Sequence, residues 1–217
     1  MTGAALVTGA SHGIGRAIAL RLAKDGYDVA INDLVSQQNE LERLHAEIME
    51  LGKASSIFIA NVSVEKEVES MISTVVDQMG TLDVPESKVS ISASFLSQIK
   101  SRTQYDLATP MLSGYSSTKF AVRGLTQAAA IELAKYKITV NAYAPGAVNT
   151  LMIEDIRQTV KERGVQKELN ISESGGSSFP LGRDTTPDEI AGLVSYLVSK
   201  DAAMVTGMEP SLLNHYP

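Results

Sequence analysis

The stretch Ala4-Ala5-Leu6-Val7-Thr8-Gly9-Ala10-Ser11-His12-Gly13-Ile14-Gly15 decides how the rest of the chain is read. Ala4 to Val7 is a short apolar run of strand type, and it passes straight into a turn holding three glycines. Beyond the turn, Ile14, Ala17, Ile18 and Leu22 recur at helical spacing as far as Gly26, which stands where a C-terminal cap is expected. In a strand-to-helix turn, glycines allow positive φ and close approach of the backbone to a ligand. They also leave the first helical amides free for a pyrophosphate. The expectation is a dinucleotide-binding unit, with Gly9, Gly13 and Gly15 at the ligand. His12 is read as a backbone contributor, because no second histidine or carboxylate stands near it in the sequence.

Working outward, Tyr27 to Ile31 is the next strand and ends at Asn32-Asp33. An acid at the end of the second strand, ~20 residues past the glycine turn, is placed to accept hydrogen bonds from an adenosine ribose. Asp33 would repel a 2'-phosphate, so NAD(H) is the expected cofactor and NADP(H) the less favoured one. Gln37 to Leu51 carries Leu41, Leu44, Ile48 and Leu51 on one face and stops at Gly52, a covering helix; His45 at the edge of that stripe reads as a solvated residue. Ser56 to Ala60 is a third strand, followed by Asn61-Val62 and a helix from Val64 to Met79. Strands alternating with helices imply an α/β fold with a parallel sheet covered on both faces.

The composition narrows the function classes. With 217 residues and 44% hydrophobic content the chain suits one domain, taken as 1–217. A net charge of -6 with scattered Lys and Arg disfavours nucleic acid and anionic membrane as partners. The absence of Cys excludes disulfides, thiol nucleophiles and thiolate zinc sites, and no metal site is expected. The N-terminus lacks a basic region and its apolar part breaks at Gly9, so no signal peptide is read; a cytoplasmic protein is the expectation.

Tyr115-Ser116-Ser117-Thr118-Lys119 opens an apolar run that includes Phe120, Val122, Leu125 and Leu133. On a helix, Tyr115 and Lys119 share a face. A phenol titrates near ~10, and a neighbouring ammonium lowers that value toward the range useful for general acid-base catalysis. Ile138 to Thr150 adds a strand with a Pro145-Gly146 loop, and Thr186-Pro187-Asp188-Glu189 has the form of a capping box with proline in the first turn.

The glycine turn, Asp33, Asn61-Val62 and the Tyr115 to Lys119 motif, in this order, resemble the short-chain dehydrogenase/reductase family. The runs Tyr115 to Leu133 and Pro180 to Gly207 are similar to its diacetyl/acetoin reductase (butanediol dehydrogenase) branch. The resemblance implies a Rossmann-like, doubly wound, three-layer fold and interconversion of a small carbonyl compound with a secondary alcohol. It implies Tyr115 as proton donor or acceptor and Lys119 as the group that depresses its pKa and binds the nicotinamide ribose. A strand-end serine would polarise the carbonyl. Pro145, Gly146, Val148 and Thr150 would line the cofactor together with Ser11, Ile14 and the glycines of the turn, Asp33, Asn61, Val62, Tyr115 and Lys119. Residues 151–179 correspond to the family's variable substrate loop.

The chain also departs from the family. The fourth-strand turn Asn-Asn-Ala-Gly and the long helix after it, which carries a catalytic Asn and usually forms part of a homotetramer interface, have no counterpart. Pro85 to Lys88 separates Leu82-Asp83-Val84 from Val89 to Ala93, too few residues for a parallel crossover. These two segments therefore merge into one strand, or one position in the sheet is vacant. Ser94 is the first choice of catalytic serine and Ser101 the second, with Ser92 and Thr103 as rivals; Ser94 lies farther from Tyr115 than the family spacing. Pro210 and Pro217 argue against a last strand, and His215 reads as a tail residue. The alternative to an active enzyme is an impaired cofactor-binding remnant, a splice variant or a faulty gene model.

Overall fold

Three apolar runs near the N-terminus form a parallel ladder in the structure, a computed structural model that describes residues 3–79, 88–90, 113–145, 148–163, 183–209 and 211–212. β1 (Ala4–Thr8), β2 (Asp28–Asp33) and β3 (Ser55–Ile59) lie in the order β1-β2-β3, with Thr8 opposite Asn32 and Asp33 opposite Ile59. Parallel neighbours need crossovers, and α1 (Gly13–Lys24) and α2 (Gln38–Glu50) make them. The two-residue period of β2 feeds both faces. Val29 and Ile31 are buried with Val7, Ile18, Leu22 and Leu44, on the side of α1 and α2. Ala30 is buried on the opposite side with Phe58, Met71 and Val75, where α3 (Glu65–Met79) packs. Leu41, Leu44 and Ile48 are fully buried, each worth roughly 1.5–3 kcal/mol relative to an exposed side chain. His45 corrects one expectation: beside Leu44 and one turn from Leu41 it sits at the margin of this stripe, half-buried, with its Nδ1 enclosed and unbonded.

The second half adds shorter ladders. β4 (Lys88–Ser90) pairs in parallel with β5 (Thr139–Asn141), and α4 (Ser113–Leu133), followed by a 3-10 turn at Ala134–Tyr136, lies between them in sequence and packs on β5. Of the two competing segments, the one containing Val89 thus takes the place beside β5. Leu82 to Val84 falls outside the described residues, among which β1 pairs with β2 alone.

Two further helices, α5 (Leu151–Arg163) and α6 (Pro187–Val198), complete the described part. Ile190, Ala191 and Val194 of α6 enter the same core as Val29 and Ile31, so α6 packs against α1 and joins the two halves. Ser195 Oγ donates to Asp25 Oδ2 (2.6 Å) and the Tyr27 hydroxyl to the Val198 carbonyl (3.3 Å) along this seam.

The tail differs from its expectation. Ser211–Leu212 forms β7, paired in parallel with β6 (Ala144–Pro145). The strand is only two residues long, and neither of them is a proline. Its approach is set earlier. Gly207 N–H donates to the Val140 carbonyl (2.7 Å) and Ala142 N–H to that of Met208 (3.0 Å). The buried Asn141 amide donates to the Val205 carbonyl (2.8 Å) and its oxygen accepts from Met208 N–H (3.2 Å).

Candidate functional site

The carboxyl ends of the parallel strands carry the residues singled out by the sequence. After β1, Gly9 and Gly13 have φ of +63° and +54°, the left-handed region that favours glycine. Ala10 N–H donates to the Asn32 carbonyl (3.0 Å), extending the β1-β2 ladder into the turn. Gly15 is required for space, since a Cβ there would lie 2.1 Å from the Gly9 carbonyl oxygen. His12 is the N-cap of α1 but makes no capping bond, and the amides of the first helical turn have no helical acceptor. Together with the helix dipole they favour an anion at this position.

Thr150 arrives from the other half of the chain. A Cβ on Gly13 would meet Thr150 Cγ2 at 3.3 Å, so the two residues are in contact range. The loop bearing Thr150 is pinned: Val148 is bridged to Thr185, Asn149 N–H donates to the Thr185 carbonyl (2.8 Å) and Thr150 Oγ1 to that of Val148 (3.2 Å). Farther along, Arg157 pairs with Asp184 at 2.6 Å, so α5 is tied to the chain that leads into α6.

Asp33 ends β2 directly beside the glycine turn. Its Oδ2 accepts from Ser11 N–H (3.2 Å) and from the Ser11 hydroxyl (2.5 Å), and its Oδ1 accepts from Leu34 N–H (2.9 Å). Ser11 Oγ is also 2.9 Å from His12 Nδ1. The sequence shows no carboxylate near His12, whereas the fold brings one within a single hydroxyl of it. Asn32, passed over in the sequence, is 1% exposed and donates to the carbonyls of Phe58 (3.0 Å) and Ala60 (3.1 Å), seating the strand end that bears Asp33. A polar residue in an otherwise apolar strand, just before the acid, is the signal that finds it.

The remaining candidates divide. Asn61 Oδ1 accepts from Ser63 N–H (3.0 Å) and Oγ (2.7 Å), so this side chain shapes the turn into α3, and Val62 packs against the Phe58–Met71 cluster. Pro145 lies in β6 and Val148 is buried. The backbones of Tyr115 and Lys119 lie in the first two turns of α4. Their side chains, together with Ser94, Ser92, Ser101, Thr103, Gly146 and His215, fall outside the described residues. Tyr27 is not a rival acid: burial, then the charge of Asp25, raises its pKa, and its hydroxyl is spent on Val198. Among the described residues no group of His, Asp and Glu could hold a metal ion, and no helix is long and apolar enough to cross a membrane.

A parallel α/β sheet with a glycine turn, a strand-end acid and a Tyr-Lys helix defines a Rossmann-like oxidoreductase, and the chain belongs to the short-chain dehydrogenase/reductase family, which binds nicotinamide cofactors. Residues 3–106 match the family model described as short chain dehydrogenase, and residues 99–210 the one described as Enoyl-(Acyl carrier protein) reductase. A short-chain dehydrogenase/reductase of Armillaria gallica is 37% identical, the match covering 94% of this chain and 91% of that protein. L-2,3-butanediol dehydrogenase of Corynebacterium glutamicum is 36% identical over 95% of each chain. The crystal structure of levodione reductase shares the fold, with a TM-score of 0.79 at 24% identity, covering 98% of this chain and 96% of that one. The Armillaria alignment runs over 244 positions against a chain of 217 residues, so at least 27 of those positions are filled only in the relative.

Proposed function

We propose that this chain is an NAD(H)-dependent oxidoreductase that interconverts a ketone and a secondary alcohol, with a small diketone or acyloin as substrate. The observation that carries the reading is the placement of Asp33, held by Ser11 and the Leu34 amide at the carboxyl rim beside the glycine turn. A carboxylate so placed accepts hydrogen bonds from a ribose diol and repels a phosphate ester. The residues fit the cofactor. Gly9 has nothing within 4 Å of an added Cβ, so the turn is open there, and the free amides of α1 suit a pyrophosphate. When bound, the nicotinamide supplies hydride transfer. Tyr115 holds the proton exchanged with the substrate oxygen, Lys119 lowers the pKa of that phenol, and Ser94 orients the carbonyl. Pro145, Gly146, Val148 and Thr150 line the cofactor in this reading. The butanediol dehydrogenase likeness supports the substrate class.

The aligned positions missing from this chain favour a second reading, a remnant that binds cofactor without turning over substrate. Reduction of diacetyl, followed by loss of NADH absorbance, separates the two. Turnover is expected, and Tyr115→Phe should lower kcat by about 10²–10⁴-fold, the usual worth of a positioned general acid. Full activity in that variant would remove Tyr115 from the role. Cofactor binding without turnover would establish the remnant.

A further inference from the structure

We propose that the ion pair between Arg157 and Asp184 is a positioning contact: it fixes where α5 sits, and through that placement it sets the affinity for substrate. The proposal rests on the enzyme reading above, in which Thr150 lines the cofactor. α5 springs from that residue, whose carbonyl accepts from Ile153 N–H (2.9 Å) and Glu154 N–H (3.2 Å). The first two residues of the helix, Leu151 and Met152, are 65% and 69% exposed. Two large apolar side chains thus follow directly on Thr150, and the alkyl ends of a small diketone or acyloin have surface to place against them.

Burial does not hold this helix. Among the described residues, neither buried cluster includes a residue of α5, and an element with so little buried apolar surface belongs to the low-stability end of a fold. Among the same residues, the side-chain hydrogen bond that leaves α5 is the one from Arg157 Nη2 to Asp184 Oδ2, at 2.6 Å. Its far end is fixed. Thr185, next in the chain, is bridged to Val148 and accepts from Asn149 N–H (2.8 Å), and Thr186 caps α6. The Asp184 side chain is 15% exposed against 37% for Arg157, so the carboxylate is the anchored partner and the guanidinium the one carried by the helix. The contact is also single. Asp184 Oδ1 is enclosed and makes no hydrogen bond among the described residues, so the guanidinium fork does not span both oxygens. A one-pronged contact asks for a cation in the right place and not for a planar fork, and lysine can meet it.

Steady-state reduction of diacetyl and hydrogen exchange, both on the full chain, test the proposal together. Arg157→Ala should raise KM about fivefold, the upper end for a partly exposed pair, with kcat unchanged, the signature of lost uniform binding. Amide exchange over residues 151–163 should quicken while that of β1 and β2 stays as in the wild type. Arg157→Lys should restore both KM and the slow exchange. In the wild type, raising the salt from about 0.05 M to about 0.5 M should bring KM toward that of Arg157→Ala, which should respond less, because the pair is screened. Wild-type KM and exchange in an active Arg157→Ala would overturn the proposal. So would a variant that melts earlier with KM unmoved, as a purely structural pair requires, or an Arg157→Lys that restores nothing. No turnover by the wild type would overturn the enzyme reading, and this inference with it.

Discussion

At Gly15 the backbone leaves no room for a methyl group, and at Gly124 it leaves ample room; this contrast gives a paired prediction. The clash at Gly15 is with a backbone carbonyl, that of Gly9, which has no rotamer to yield. Gly15→Ala should therefore cost about 3 kcal/mol, the upper part of the overpacking range, and abolish the NADH-induced rise in melting temperature. Gly124 is exposed within α4 with nothing within 4 Å of an added Cβ. Gly124→Ala should gain about 1 kcal/mol from helix propensity and leave cofactor binding unchanged. Urea unfolding of both variants checks the pair, and a stable, NADH-responsive Gly15→Ala would contradict the close turn. Gly15 was legible from spacing alone, because the need for a small residue is local to the turn. The bond from Ser11 to Asp33 was not, because the strand pairing that joins two residues 22 apart is absent from any local pattern.

Among the elements, α6 is the one whose start the sequence states most fully. Thr186 is its N-cap, with its Oγ1 accepting from Glu189 N–H (3.3 Å), while Glu189 Oε2 accepts from Thr186 N–H (2.8 Å). Arg183 adds two hydrogen bonds to the same carboxylate (2.8 and 2.5 Å). The Arg183 hydrogen bond first, and the Thr186 amide next, hold Glu189 at about 2, below its ordinary 4.5. A lowered carboxyl pKa stabilises the folded state above the ordinary value, and that contribution is lost as pH falls from about 4.5 toward about 2. Glu189→Gln should thus melt below the wild type at neutral pH and converge with it across that window; a constant gap would refute the linkage. Thr186→Ala should cost about 1 kcal/mol by loss of the cap. The capping box was readable because its partners are three residues apart. β7 was not, because long-range hydrogen bonds from Val140, Asn141 and Ala142 set the course of the chain that leads into it.

For the whole molecule, the question is whether the three sheets of the described residues belong to one cooperative unit. The short interval between Val84 and Val89 already disclosed a shortened chain, because a parallel crossover has a minimum length. What the sequence did not disclose is how the halves join, since that depends on α6 packing against α1. Tyr143, Val148, Ile190 and Val194 share one buried cluster with Val7, Val29 and Ile31. Thr150 meets Gly13, and Ser195 and Tyr27 bond across the same seam. Breaking this seam would expose core surface on both sides, so neither half should melt before the other. Calorimetry is expected to give one transition whose calorimetric and van't Hoff enthalpies agree. Because the proposed cofactor site draws on Gly13 and Thr150, which meet across the seam, NADH should move that whole transition. At a hundredfold excess over Kd the gain is about 2.7 kcal/mol, or roughly 5–11 °C for a domain of this size. NADPH should move it less if Asp33 has the proposed role. Two transitions, only one of them responsive to NADH, would mean that β1 to α3 folds by itself and that residues 1–217 are not a single domain.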